Sequence, residues 1–234
     1  MMFGRYRGSF RREWGDILVE AESVDGLLTY RRRCGGQTFE RILVLNTGEV
    51  IINPVEPVNL PRDITDFLLM EFSPMMIEPG ATQTVYLKFP VEIGVFVESA
   101  KDIEVLDVFA RGSQKYTLYG SPTNGVIARW YRSAVYPEIP PVEFFCEGVM
   151  ELSIHNASHE WVEVSCAVFE STDMKLYYGD FVAASAKMKI LGPSLAETDF
   201  IDAPLQTGMV KSIELYTARK IPVINRGYLM EWGF

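Results

Sequence analysis

The stretch Met150-Glu-Leu-Ser-Ile-His155-Asn-Ala-Ser-His159-Glu-Trp161-Val-Glu-Val-Ser-Cys166-Ala-Val-Phe169 decides the fold class. Met150, Leu152 and Ile154 alternate with Glu151, Ser153 and His155. After a polar break, Val162, Val164, Cys166 and Val168 alternate with Glu163, Ser165 and Ala167. Period two buries one face of a strand and wets the other. The stretch therefore reads as a hairpin of two half-buried strands. Both histidines of the chain, His155 and His159, fall at or near its turn.

The same character extends outward. Arg41-Ile-Leu-Val-Leu leads into the turn signal Asn46-Thr47-Gly48, followed by Val50-Ile-Ile-Asn and Pro54. Val55-Glu-Pro-Val-Asn-Leu-Pro61 reads as an extended connector, because proline cannot donate to a central ladder. Leu68 to Phe72 is an apolar run that Ser73-Pro74 breaks, and Ile64 to Glu71 is the one stretch with a short helical option. Thr84 to Phe89, Val91 to Val97, Ile103 to Phe109, Lys115 to Tyr119 and Val126 to Tyr136 continue the β-branched and aromatic pattern. Ala184, Ala186, Met188 and Ile190 alternate with Ser185, Lys187 and Lys189, which makes another strand. Pro193 to Ala203 reads as a polar loop, and Ser212 to Thr217 and Tyr228 to Trp232 as closing strands. Many short strands with frequent turns predict a mainly β protein with little helix, built as two tandem Ig-like or jelly-roll-like β-sandwiches. A single larger sandwich is the rival. Three prolines in Pro137-Glu-Ile-Pro-Pro141 mark a stiff connector dividing the chain into residues 1–136 and 142–234.

Composition narrows the function classes. The 234 residues are 48% hydrophobic, ample for a packed core. The net charge is −9, while residues 1–45 alone hold eight Arg against six Asp or Glu. An acidic body opposes general nucleic-acid binding. Arg5-Tyr6-Arg7, Arg11-Arg12 with Trp14, Arg31-Arg-Arg33 and Arg129-Trp-Tyr-Arg132 nevertheless interleave cations with aromatics, as single-stranded nucleic-acid surfaces do. Three scattered cysteines, Cys34, Cys146 and Cys166, make no disulfide framework and suit a reducing, cytoplasmic setting. No run approaches the roughly 20 apolar residues of a membrane helix, and Met1 to Glu13 lacks the apolar core of an export signal.

Chemistry-bearing patterns are few. His155 and His159 stand four apart, but between strands that spacing does not converge two ligands, and no zinc or nucleotide motif accompanies them. Asn156-Ala-Ser158 is formally a glycosylation acceptor and simplest as a turn. Glu197, Asp199 and Asp202 gather three acids on the predicted loop, short of the six to eight oxygens a hard cation needs. No catalytic, cofactor-binding or metal residue is assigned on these grounds. The leading expectation is a non-enzymatic binding or scaffold protein with a protein partner or a homodimer. The alternatives are a carbohydrate-active or carbohydrate-binding protein using a carboxylate pair, and single-stranded nucleic-acid binding through the Arg-rich N-terminal third.

Three runs resemble a known family: Tyr86-Leu-Lys-Phe-Pro-Val-Glu-Ile-Gly-Val-Phe96, Ile213-Glu-Leu-Tyr-Thr-Ala-Arg-Lys-Ile221 and Met230-Glu-Trp-Gly-Phe234. They are similar to an archaeal family, common in methanogens, carried as a domain of unknown function. The resemblance spans nearly the whole chain and implies an archaeal cytosolic β-protein. It implies no catalytic residues.

Overall fold

Nineteen strands arise where the period-two pattern or short apolar runs recur, and a computed structural model describes them over residues 2–44, 48–99, 102–220 and 227–234. In chain order they are β1 (Gly4–Arg7), β2 (Phe10–Trp14), β3 (Ile17–Val24), β4 (Leu27–Cys34), β5 (Gln37–Val44), β6 (Glu49–Val55), β7 (Phe67–Ile77), β8 (Thr82–Pro90), β9 (Glu92–Glu98) and β10 (Ile103–Phe109). There follow β11 (Tyr116–Tyr119), β12 (Val126–Arg132), β13 (Glu147–Asn156), β14 (Val162–Glu170), β15 (Tyr177–Tyr178), β16 (Val182–Gly192), β17 (Leu195–Ile201), β18 (Val210–Lys211) and β19 (Tyr228–Met230). One short helix, α1 (Leu215–Ala218), lies before β19. The predicted turn at Asn46-Thr47 falls outside the described residues.

The strands form four open sheets: β1-β6-β9-β10, the meander β2-β3-β4-β5, β11-β12-β7-β14, and β18-β15-β16-β13-β8 with β17 attached to β16 and β19 to β17. Gly35 and Gly36, at φ 55 and 78, make the two-residue turn from β4 to β5. Both φ values are positive there, which suits the twist of a tight hairpin and favours glycine. The meander meets the first sheet where Tyr30 and Arg32 of β4 reach Asp107 of β10 at 3.0 and 2.9 Å. The third sheet packs on the fourth: Phe169 and Phe200 rings lie 5.0 Å apart, as do Phe67 and Tyr228. Only Val91 separates β8, in one sheet, from β9, in another.

The strands at 150–169 are present, but they do not pair with each other. β13 lies between β8 and β16, whereas β14 pairs with β7 in the facing sheet. The predicted hairpin is an arch, because residues 157–161 carry the chain across the core instead of back along the same sheet. Asn156 sets that crossing. Its side chain is wholly buried and donates to the carbonyls of Ile77 at 2.9 Å and Glu160 at 2.8 Å. Its Oδ1 accepts from the Ser158 N–H at 3.0 Å and hydroxyl at 2.7 Å. Its main chain exchanges bonds with Ala81 and Gly80, so one residue joins the ends of β7, β8 and β13.

Other expectations are corrected. Sheets do not divide at 137–141: β8 with β13, and β7 with β14, pair across it. Ser73-Pro74 does not end a strand, because 72–74 oppose the single residue Ser165 in a bulge that absorbs the missing N–H. Phe67 begins that same strand where a helical turn was an option. The loop at 193–203 is mostly β17, a hairpin partner of β16 that turns Ala196, Thr198 and Phe200 inward. Leu215 starts a helical turn instead of a strand, with its N–H held by the Glu56 carboxylate at 3.3 Å.

Asn156→Ala removes the amide donor from the buried Ile77 carbonyl and the acceptor that Ser158 uses, and is expected to cost about 2 kcal/mol. Asn156→Asp costs more, since a carboxylate then faces the carbonyls of Ile77 and Glu160. Urea unfolding measures both, and a wild-type midpoint for Asn156→Ala would show that the amide does not hold the arch.

Candidate functional site

Beside this arch the molecule keeps an open cleft of about 570 Å³, lined by Met75, Met76, Val135, Tyr136, Pro137 and Trp161, with Glu78 at its margin. Met76 and Trp161 remain 56% and 60% exposed, unusual for side chains of such apolar area. The β7 bulge carries the methionines past Pro74, and the arch delivers Trp161 just before β14. One wall is β8, the outermost strand of its sheet.

The edge of β8 is half covered. Tyr86 exchanges both main-chain hydrogen bonds with Tyr136, at 2.9 and 3.0 Å, and the Lys88 N–H reaches the Ser133 hydroxyl at 2.8 Å. Pro137 then ends this coverage, since it has no N–H. Strand alternation points the main-chain groups of Thr84 and Thr82 to the same side as those of Tyr86. Both threonines are exposed, and Gln83 Nε2 shields only the Thr84 carbonyl, at 2.8 Å. Glu78, Glu160 and Glu163 rim the region, and none has a Lys or Arg within 4 Å among the described residues.

The residues singled out from sequence lie elsewhere. His155 projects from the outer face of β13, 3.0 Å from Thr82 Oγ1, while His159 is exposed in the arch. β16 and β17 bring Glu197 and Asp199 beside His155 in a second groove of about 580 Å³. Lysines interleave them there: Lys187 pairs with Asp199 at 3.0 Å, and Lys189 lies opposite Glu197. Asp202 instead holds Lys211 at 2.6 Å and the Tyr177 hydroxyl at 2.6 Å. Among the described residues no three His, Cys, Asp or Glu side chains converge as metal ligands. Five of the eight N-terminal arginines are matched by acids: Arg5 by Glu98, Arg7 by Glu49, Arg11 by Glu20, Arg31 by Glu40 and Arg32 by Asp107. Arg129 is buried. All three cysteines are free thiols. Cys34 is buried, and burial pushes the half-buried Cys166 thiol up to about 11.

A buried polar cluster was missed. Glu56 and Glu92 are 1% and 0% exposed, with Asn59 between them. The Asn59 N–H donates to Glu92 at 3.0 Å, and its side-chain amide donates to the Glu56 carbonyl. Burial raises both carboxyls to about 8, against partial relief from main-chain N–H groups. Glu92 also senses Arg129, whose own charge burial disfavours. The signal was legible: Glu92 is a lone acid inside an apolar run from Val91 to Val97.

These features define a class, an open mainly β protein whose surface cleft adjoins a partly uncovered sheet edge. The chain belongs to the family of proteins of unknown function DUF432, whose model matches residues 2–231. No curated protein and no solved structure matches it. No helix among the described residues is long and apolar enough to cross a membrane.

The two buried carboxyls give stability a definite pH dependence. In the unfolded chain they titrate near 4.5, whereas the folded protein keeps their protons up to about 8. The folded state binds more protons in between, so their contribution is full below about 4.5 and lost as pH rises to about 8. Melting temperature should therefore fall across that window, and Glu56→Gln and Glu92→Gln should each flatten the fall and raise Tm at its upper end. A wild-type Tm that climbs through the window contradicts this account.

Proposed function

We propose that this is a non-enzymatic binding protein that accepts an extended segment of a partner protein as an added strand on β8. The carrying observation is the two-way Tyr86–Tyr136 bridge, which stops at Pro137 and leaves 82–84 open beside the Trp161 cleft. An added strand would continue the register the bridge begins, and alternate side chains would enter the cleft. Glu78, Glu160 and Glu163, which form no ion pair among the described residues, favour a segment with Lys or Arg beside its apolar residues. The same acidic rim disfavours a second copy of this chain.

The carbohydrate reading is weaker, because Lys187 engages Asp199 and Lys189 faces Glu197. The nucleic-acid reading is weaker because acids offset most of the N-terminal arginines. On this proposal the four sheets act as two face-to-face, sandwich-like pairs that share the β8–β9 run, and the three free thiols suit a reducing cytoplasm.

Selection of random 12-residue peptides against the full chain tests the proposal. Enriched peptides should alternate apolar residues with Lys or Arg. Trp161→Ala and Thr84→Pro should each weaken their binding about tenfold or more while leaving the far-UV spectrum unchanged. Peptides that bind Thr84→Pro as tightly as wild type would rule out strand addition.

A further inference from the structure

Another concavity concentrates positive charge. It measures about 630 Å³ and lies between β5, β10, the segment at 59–62 and the end of α1. Arg41, Arg62, Arg219 and Lys220 all line it, in a protein whose net charge is −9. Lys220 is paired with Asp102 beside the cleft, so the charge left open there is that of the arginines. Asp107 is committed to Arg32 and Tyr30 in the core, and Glu104 is exposed.

Two of the guanidiniums form no ion pair among the described residues. Among the described residues neither Arg41 nor Arg219 has a carboxylate within 4 Å, and the remaining residues of the chain include no acid. Arg41 rests over the Phe39 ring at 5.2 Å. Among the described residues Arg219 donates to a neutral amide oxygen, Oδ1 of Asn59, at 3.4 Å. Arg62 has its neighbour Asp63 at 3.4 Å, but both are largely exposed, where such pairs contribute little. Burial disfavours the charge on Arg219, as does nearby Arg62, and Asp63 and Glu56 offset this only in part. Like charges held together in a cleft gain from an anion that both can hydrogen-bond.

The floor of the cleft is fixed. Asn59 is buried, with its N–H given to Glu92 and its side-chain amide to the Glu56 carbonyl, so its Oδ1 holds Arg219 in place. We infer that this cleft binds a phosphate-bearing small molecule, with Arg62 and Arg219 as its principal ligands and Arg41 and Lys220 at the rim. A phosphate offers oxygens to two guanidinium forks at once, and the volume lies within the roughly 300–1,000 Å³ of small-molecule sites. Both Arg32 and Arg41 cover Phe39, at 5.5 and 5.2 Å, which opposes base stacking there. This inference is independent of strand docking on β8.

Calorimetric titration of the full chain with inorganic pyrophosphate at low ionic strength tests it. Parallel arms use phosphatidylglycerol vesicles and a single-stranded RNA oligonucleotide. The expected result is one pyrophosphate site, weakened about tenfold by Arg62→Gln and by Arg219→Gln and unchanged by Arg11→Gln on β2. Arg62 is exposed, so its variant separates loss of binding from loss of fold. Absence of heat overturns the inference, as does equal affinity in both variants. Binding of vesicles or RNA that the same substitutions abolish, without a pyrophosphate site, assigns the cleft to another partner and overturns it too.

Discussion

The buried amide of Asn156 is the interaction on which the rest of the architecture depends. A chain leaving one sheet for its facing neighbour must turn through the core with its polar groups satisfied. Asn156 supplies two donors and one doubly used acceptor at that point, and its main chain ties in the turn before β8. An amide suits the site because carbonyls face one end of it and donors the other. Without it, β13 and β14 would have no fixed offset, and Trp161 would have no defined place at the mouth of the cleft.

Strand content was legible because β-strands write a local signature. Ala184 to Ile190 and Met150 to Ile154 alternate on their own terms, whatever lies beside them. Pairing was not legible. The choice between hairpin and arch at 156–161 rests on a carbonyl of Ile77, nearly eighty residues earlier in the chain. Pro74 misled for a related reason, since a proline ends a strand unless its own strand bulges there against a partner. Acidic spacing at 197–202 suggested a loop, yet the inward partners Ala196, Thr198 and Phe200 were written between those acids.

Charge was informative at the level of the whole chain and uninformative residue by residue. The N-terminal arginines stand out in sequence and are mostly matched by acids across neighbouring strands. Arg62 and Arg219 are unremarkable in sequence and meet only in the fold. Buried Glu92 stands between these cases, because an isolated acid in an apolar run is visible, whereas its bond to Asn59 is not. The candidate cleft was equally hidden. Its lining comes from three separate stretches, and its open edge exists only because Pro137 ends a bridge.

The burial of Asn156 also bears on Asn156-Ala-Ser158 as a glycosylation acceptor. In the folded protein no enzyme reaches that nitrogen, which already donates both its protons inward. In the unfolded chain the triplet is open to transfer, and a sugar there would remove a donor and prop the two sheets apart. Attachment of a glycan and completion of the fold thus exclude one another. In a compartment that glycosylates nascent chains, which of the two happened first would be irreversible for each molecule.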